Sequence, residues 1–134
     1  MRRALLALAL LCAGCGGHPK RAGLEGIEDA LAGAGLHVEG FADSEPRALA
    51  ATRCRAGRIE RIQALLCSYA TDDAVRHGRR AAEAFLGDAP TGVVLERPGA
   101  ERALLVLADR DRADRSGRAL QKIARAFRAD GAKR

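Results

Sequence analysis

The sequence predicts an α+β fold: a mainly antiparallel sheet of about four to five strands in hairpins, with about three helices packed on one face. Three observations lead there. Apolar residues recur at helical spacing in separate stretches and alternate between them. A Pro98-Gly99 pair joins two strand-like runs, as the central residues of a type II turn would. Finally, Cys54 and Cys67 fall on opposed positions of a hairpin that turns at Glu60-Arg61. The resulting order is α-β-ββ-α-ββ-α.

The first helix is written in residues 24–35. Leu24, Ile27 and Leu31 lie on one face, Glu28 and Asp29 lie opposite, and Gly35 stops it. Leu36 and Val38 then alternate with His37 and Glu39, the pattern of a half-buried strand. Asp43, Ser44 and Pro46 are turn formers and read as a loop. Pattern alone does not decide whether residues 47–53 are helix or strand.

Cysteine pairing decides the next segment. If residues 50–59 and 62–70 form an antiparallel hairpin, Ile59 opposes Ile62, and Cys54 opposes Cys67 at a non-hydrogen-bonded position. There the Cα atoms approach to about 4.5 Å, within reach of a disulfide. Were residues 47–55 a helix antiparallel to a long strand, the two cysteines would stand roughly 25 Å apart. In an oxidising compartment the pair forms a structural bridge, worth about 3 kcal/mol by loop closure. Glu60-Arg61 is nevertheless a pair that a type I′ turn disfavours, since both residues need positive φ. A longer loop with shifted register is the alternative.

Thr71 caps the second helix, and Asp72 and Asp73 occupy its first turn, where the helix dipole favours acids. Its expected buried stripe is Val75, Ala82, Phe85 and Leu86, with Gly87 ending it. Residues 91–109 form the clearest hairpin, and "ALLVLA", apolar on both faces, belongs in the centre of the sheet. The last helix runs from Ser116 to about Ala129 and buries Leu120, Ile123, Ala124 and Phe127. Arg118, Gln121, Lys122, Arg125 and Arg128 face outward.

The N-terminus carries a different kind of information. Arg2 and Arg3 precede an apolar run from Ala4 to Leu11, and small residues follow. That is the layout of a secretory signal, and the run is too short to span a bilayer, which takes about 20 residues. Ala13, Gly14 and Cys15 fill positions −2, −1 and +1 of a lipobox; Cys12 stands where leucine is usual, with Leu11 one step earlier. In these residues the chain resembles a bacterial prolipoprotein. The resemblance implies removal of residues 1–14, diacylglyceryl transfer to the Cys15 sulfur and acylation of the new amine. The Cys12–Cys15 C-x-x-C spacing would then be lost with the leader. Residues 15–23 become the lipidated cysteine and a short polar linker, and residues 24–134 a single small domain with one disulfide. Two or more acyl chains hold a protein stably on a membrane. Gly16 after the cysteine implies delivery to the outer membrane, facing the periplasm, rather than retention at the inner one.

Composition narrows the function without naming it. Removing Arg2 and Arg3 takes 23 basic residues to 21, against 17 acidic. The surplus is mixed with acids along the chain and is no clustered phosphate-binding surface, so no nucleic-acid partner is expected. Serines occur only at 44, 68 and 116 and histidines at 18, 37 and 77; no G-x-S-x-G elbow or zinc-ligand spacing is present. No catalytic, cofactor-binding or metal residue is therefore assigned. Asp109, Asp111 and Asp114 give the stretch "DRDRADRSG" a faint likeness to a calcium loop, which needs acid or amide at positions 1, 3 and 5, Gly at 6 and Glu at 12. Position 5 of that loop is Ala113, position 6 is Asp114, and arginines separate the acids, so a solvated charge run capping a helix is the better reading. Arg76, Arg79 and Arg80 lie on one helix as candidates for contact with anionic headgroups or an acidic partner, against the plain alternative of a solvated face. The expected function is a lipid-anchored envelope protein acting as a binding or accessory module for another envelope component. The alternative is a small hydrolase-like envelope enzyme whose site converges only in three dimensions.

Overall fold

The structure is a computed structural model and describes residues 21–133. Helix α1 (Gly23–Gly33) is followed by β1 (Val38–Ser44), a 3-10 turn (Arg47–Leu49), β2 (Arg53–Ile59) and β3 (Ile62–Ser68). Helix α2 (Asp72–Leu86), β4 (Gly92–Arg97), β5 (Ala103–Ala108) and α3 (Arg118–Ala132) complete it. All five strands join one antiparallel sheet in the order β1-β2-β3-β5-β4. The fold class is the α+β class that the patterning predicts.

The β2–β3 hairpin has the register that the cysteines require. Ile59 opposes Ile62, Cys54 opposes Cys67, and the bridge is formed with a Cα–Cα separation of 4.1 Å. Its turn is made by Glu60 (φ 51°) and Arg61 (φ 68°), two non-glycine residues in the left-handed region. Neighbouring hydrogen bonds hold Glu60 there. Its amide donates to the His37 carbonyl at 2.8 Å, and the His37 amide donates to Glu60 Oε1 at 3.1 Å.

Residues 47–53 resolve into neither long helix nor long strand: the 3-10 turn comes first, and β2 begins at Arg53. Asp43 and Ser44 belong to β1 instead of a loop. Their backbone pairs with Arg55 and Cys54, and ladder bonds outweigh the low strand propensity of Asp and Ser. A register shift between Glu39 and Ala42, with Gly40 at φ 67°, swings Phe41 over Gly57. A Cβ at Gly57 would stand 2.4 Å from the Phe41 ring, so that crossing needs glycine.

The helices do not share one face. Helices α1 and α3 pack over Ile59, Ile62, Leu66, Leu105 and Leu107. Helix α2 and Leu49 of the 3-10 turn cover Leu104, Val106 and the disulfide on the other face. The cause lies in β5, all six of whose residues are buried, so that both faces need cover.

Asp109, expected in a solvated charge run, is buried at 2 % exposure, and two helix side chains also depart from their expected places. Glu28, expected outside, is 8 % exposed and ion-paired with Arg55 beneath α1. Phe85, expected inside, is 47 % exposed. The buried stripe of α2 runs through Val75, Gly78 and Ala82 and leaves Phe85 at the rim, where the Arg110 guanidinium stacks 4.8 Å from its ring.

Candidate functional site

Residues 1–14, expected to be a signal peptide, and Cys15, the expected lipidation site, lie outside the described residues. The sequence-derived residues within them divide clearly. Cys54 and Cys67 are bonded to each other and fully buried, a structural bridge closed to exchange partners.

The arginines of α2 are mostly spoken for. Arg76 pairs with Asp73, and Arg79 with Glu96 at 3.2 Å and Glu83 at 3.7 Å. Arg80 has no partner among the described residues. His77 Nδ1 donates to the Asp73 carbonyl at 2.9 Å, one turn back, and His37 sits exposed beside Glu39. These side chains do not converge.

The aspartate-rich loop does build something, though by another route than cation binding. Asp109 is buried, and its two carboxylate oxygens accept the amides of Ala113 (2.7 Å) and Asp114 (2.9 Å). Asp114 turns toward α3, where Oδ2 accepts the Leu120 amide at 2.9 Å and Oδ1 the Ser116 hydroxyl at 3.2 Å. Burial pushes the Asp114 carboxyl up, but donors from Leu120, Ala119, Ser116 and Gly117 outweigh it and hold it below the usual range. No group of three or more metal-ligating side chains occurs among the described residues.

Because β3 pairs with β5 so that Gln63 opposes Ala108, the β2–β3 turn lies beside this loop. Between them opens a cleft of ≈ 640 Å³, lined by Arg58, Arg61, Arg112 and Arg115 together with Asp111 and Asp114. Asp111 stands 3.7 Å from Arg58 and answers its charge. Arg61, Arg112 and Arg115 are exposed and have no side-chain partner among the described residues. Arg112, like Arg61, is a non-glycine residue at positive φ (52°). Sequence reasoning passed over this group. Its halves are some fifty positions apart, and only the β3–β5 pairing joins them; the available signal was the excess of arginine in "DRDRADRSGR" beside an arginine at a hairpin tip.

Several other arginines are neutralised. Arg53 binds Glu25 (2.6 Å) and Asp43 (2.8 Å), and Arg55 binds Glu28, fastening α1 across the β1–β2 edge. The Arg53 hydrogen bond is the main cause that holds the Glu25 carboxyl below the usual range. Arg97 lies buried under α3, donating to Asp130 at 2.7 Å and to the Phe127 carbonyl at 3.0 Å. A second cavity, of ≈ 540 Å³, separates α1 from α3 and is lined by Gly26, Ala30, Ala126 and other small residues, with Asp29 and Asp130 at its rim. No helix among the described residues is long and apolar enough to cross a membrane. No family model, curated protein or solved structure matches the chain.

Proposed function

We propose that the chain is a lipid-anchored domain of the bacterial cell envelope, held by Cys15 at the periplasmic side of the outer membrane, that works by binding another envelope component. The observation that carries this reading is the Cys54–Cys67 bridge, buried at the centre of the sheet. A disulfide built into a small core belongs to an exported protein. It agrees in this with the leader-like residues 1–14 and the lipobox-like Ala13-Gly14-Cys15. Binding is favoured over catalysis by the chemistry of the cleft. Its arginines offer charge and donors, while Asp114 is spent on the amides of α3 and Asp111 on Arg58.

The test is the intact mass of the protein extracted from its own membranes, before and after reduction. The expected mass is that of residues 15–134 plus acyl chains, rising by two hydrogens when the bridge is reduced. A protein that retains Met1 and gains nothing on reduction overturns the proposal.

A further inference from the structure

We propose that the cleft between the β2–β3 turn and the β5–α3 loop is an oxyanion site, and that its ligand is a phosphate group held by Arg61, Arg112 and Arg115. This deepens the binding reading above, resting on it only for where the ligand comes from.

Three features single out this cleft from the other basic surface. Most arginines of the described chain meet a carboxylate within ion-pair distance: Arg21, Arg53, Arg55, Arg76, Arg79, Arg97, Arg102 and Arg110 all do. Three of those that do not are gathered around one concavity. Guanidinium groups with no internal acid to satisfy them, converging from two chain segments, match the tetrahedral oxygens of a phosphate, which accepts several N–H donors at once. The exposed Arg80, Arg118, Arg125 and Arg128 also lack a side-chain partner among the described residues, but none of them lines this cleft.

The second feature is the way the cleft's own acids are removed from competition. Asp114 is aimed into the first turn of α3, and Asp111 faces Arg58. Neither makes an ion pair with the other three arginines, although both line the same cleft.

The third is rigidity. Buried Asp109 clamps the amides of Ala113 and Asp114, fixing the loop from which Arg112 and Arg115 project. Glu60 and His37 exchange hydrogen bonds and so fix the turn from which Arg61 projects. Arg61 and Arg112 both hold left-handed backbone, a conformation that surrounding structure must impose. The donors are thus positioned before a ligand arrives, which lowers the ordering cost of binding.

The phosphate can belong to a lipid headgroup or to a free phosphate, and the experiment separates these sources. The chain, produced with its disulfide formed but without acyl groups on Cys15, so that no anchor carries it to a vesicle, is titrated with inorganic phosphate while the arginine Nε–H resonances are followed by NMR. In parallel it is floated with phosphatidylglycerol vesicles and with phosphatidylcholine vesicles. The expected result is saturable phosphate binding that shifts Arg61, Arg112 and Arg115, weakened about tenfold by Arg112→Gln with Arg115→Gln and unchanged by Arg125→Gln with Arg128→Gln. Co-flotation with phosphatidylglycerol that the first pair of substitutions abolishes assigns the headgroup. Phosphate binding without vesicle preference assigns a free phosphate. An absence of saturable shifts, or equal weakening by both pairs of substitutions, overturns the site. Neither outcome touches the anchor, which the intact mass tests separately.

Discussion

Gly78 provides the sharpest test of how α2 is seated. It lies mid-helix, where replacing glycine by alanine ordinarily stabilises by about 1 kcal/mol. Here the opposite is expected. A Cβ at position 78 would stand 2.3 Å from the Tyr69 hydroxyl oxygen and 2.6 Å from two ring carbons. Tyr69 has little freedom to yield. It is 6 % exposed, burial pushes its phenol up to about 12, and its hydroxyl donates to the Leu49 carbonyl at 3.1 Å. Overpacking of this kind costs about 1–3 kcal/mol, and a displaced ring would also strand the buried Leu49 carbonyl for about 1–3 kcal/mol more. Against the gain in helix propensity, Gly78→Ala should destabilise by about 2 kcal/mol, or roughly 8 °C in melting temperature for a domain of this size. Urea and thermal unfolding followed by circular dichroism measure it, and Tyr69, the sole tyrosine in a chain without tryptophan, reports locally by fluorescence. In a Tyr69→Ala background the same substitution should turn neutral or stabilising. If Gly78→Ala stabilises the native sequence, α2 does not rest on Tyr69 and the packing of this face is wrong.

Two further outcomes are expected. Replacing both Cys54 and Cys67 with alanine should lower stability by about 3 kcal/mol, because the bridge closes a loop of 13 residues of sequence separation; an unchanged urea midpoint would contradict this. Acid should destabilise in a defined window. The carboxyls of Glu25 and Asp114 are both held below their ordinary values in the folded chain, so the unfolded chain binds protons first. Their contribution is present above about pH 5 and lost as pH falls through about 4 and below. A melting-temperature profile should therefore be flat near neutrality and fall on the acid side, with Glu25→Gln and Asp114→Asn each flattening that limb; identical limbs in all three proteins would refute it.

Much of the architecture is legible along the chain because local chemistry and tertiary context agree there. Thr71 accepts the Ala74 amide at 3.1 Å and caps α2, as its place before two acids implies. "ALLVLA" is a fully buried inner strand, and Cys54 meets Cys67 in the one register that sets them opposite each other. Where the patterning misled, a partner distant in sequence was responsible. Glu28 has the look of a solvent-facing residue until Arg55, 27 positions on, meets it under α1. Phe85 has the look of core until Arg110 offers its guanidinium at the rim.

The candidate site divides in the same way. From the sequence alone come the class of fold and the pairing of the cysteines. Each rests on residues close together or on a register that counting can settle. Tertiary structure alone decides that the helices cover both faces of the sheet, that the arginines of α2 are largely neutralised, and that Arg61 meets Arg112 and Arg115. These are properties of pairing between β3 and β5 and of charges brought together across tens of residues. No local periodicity encodes them, because each arginine looks equally solvated until the fold has determined which of them have an acid within reach.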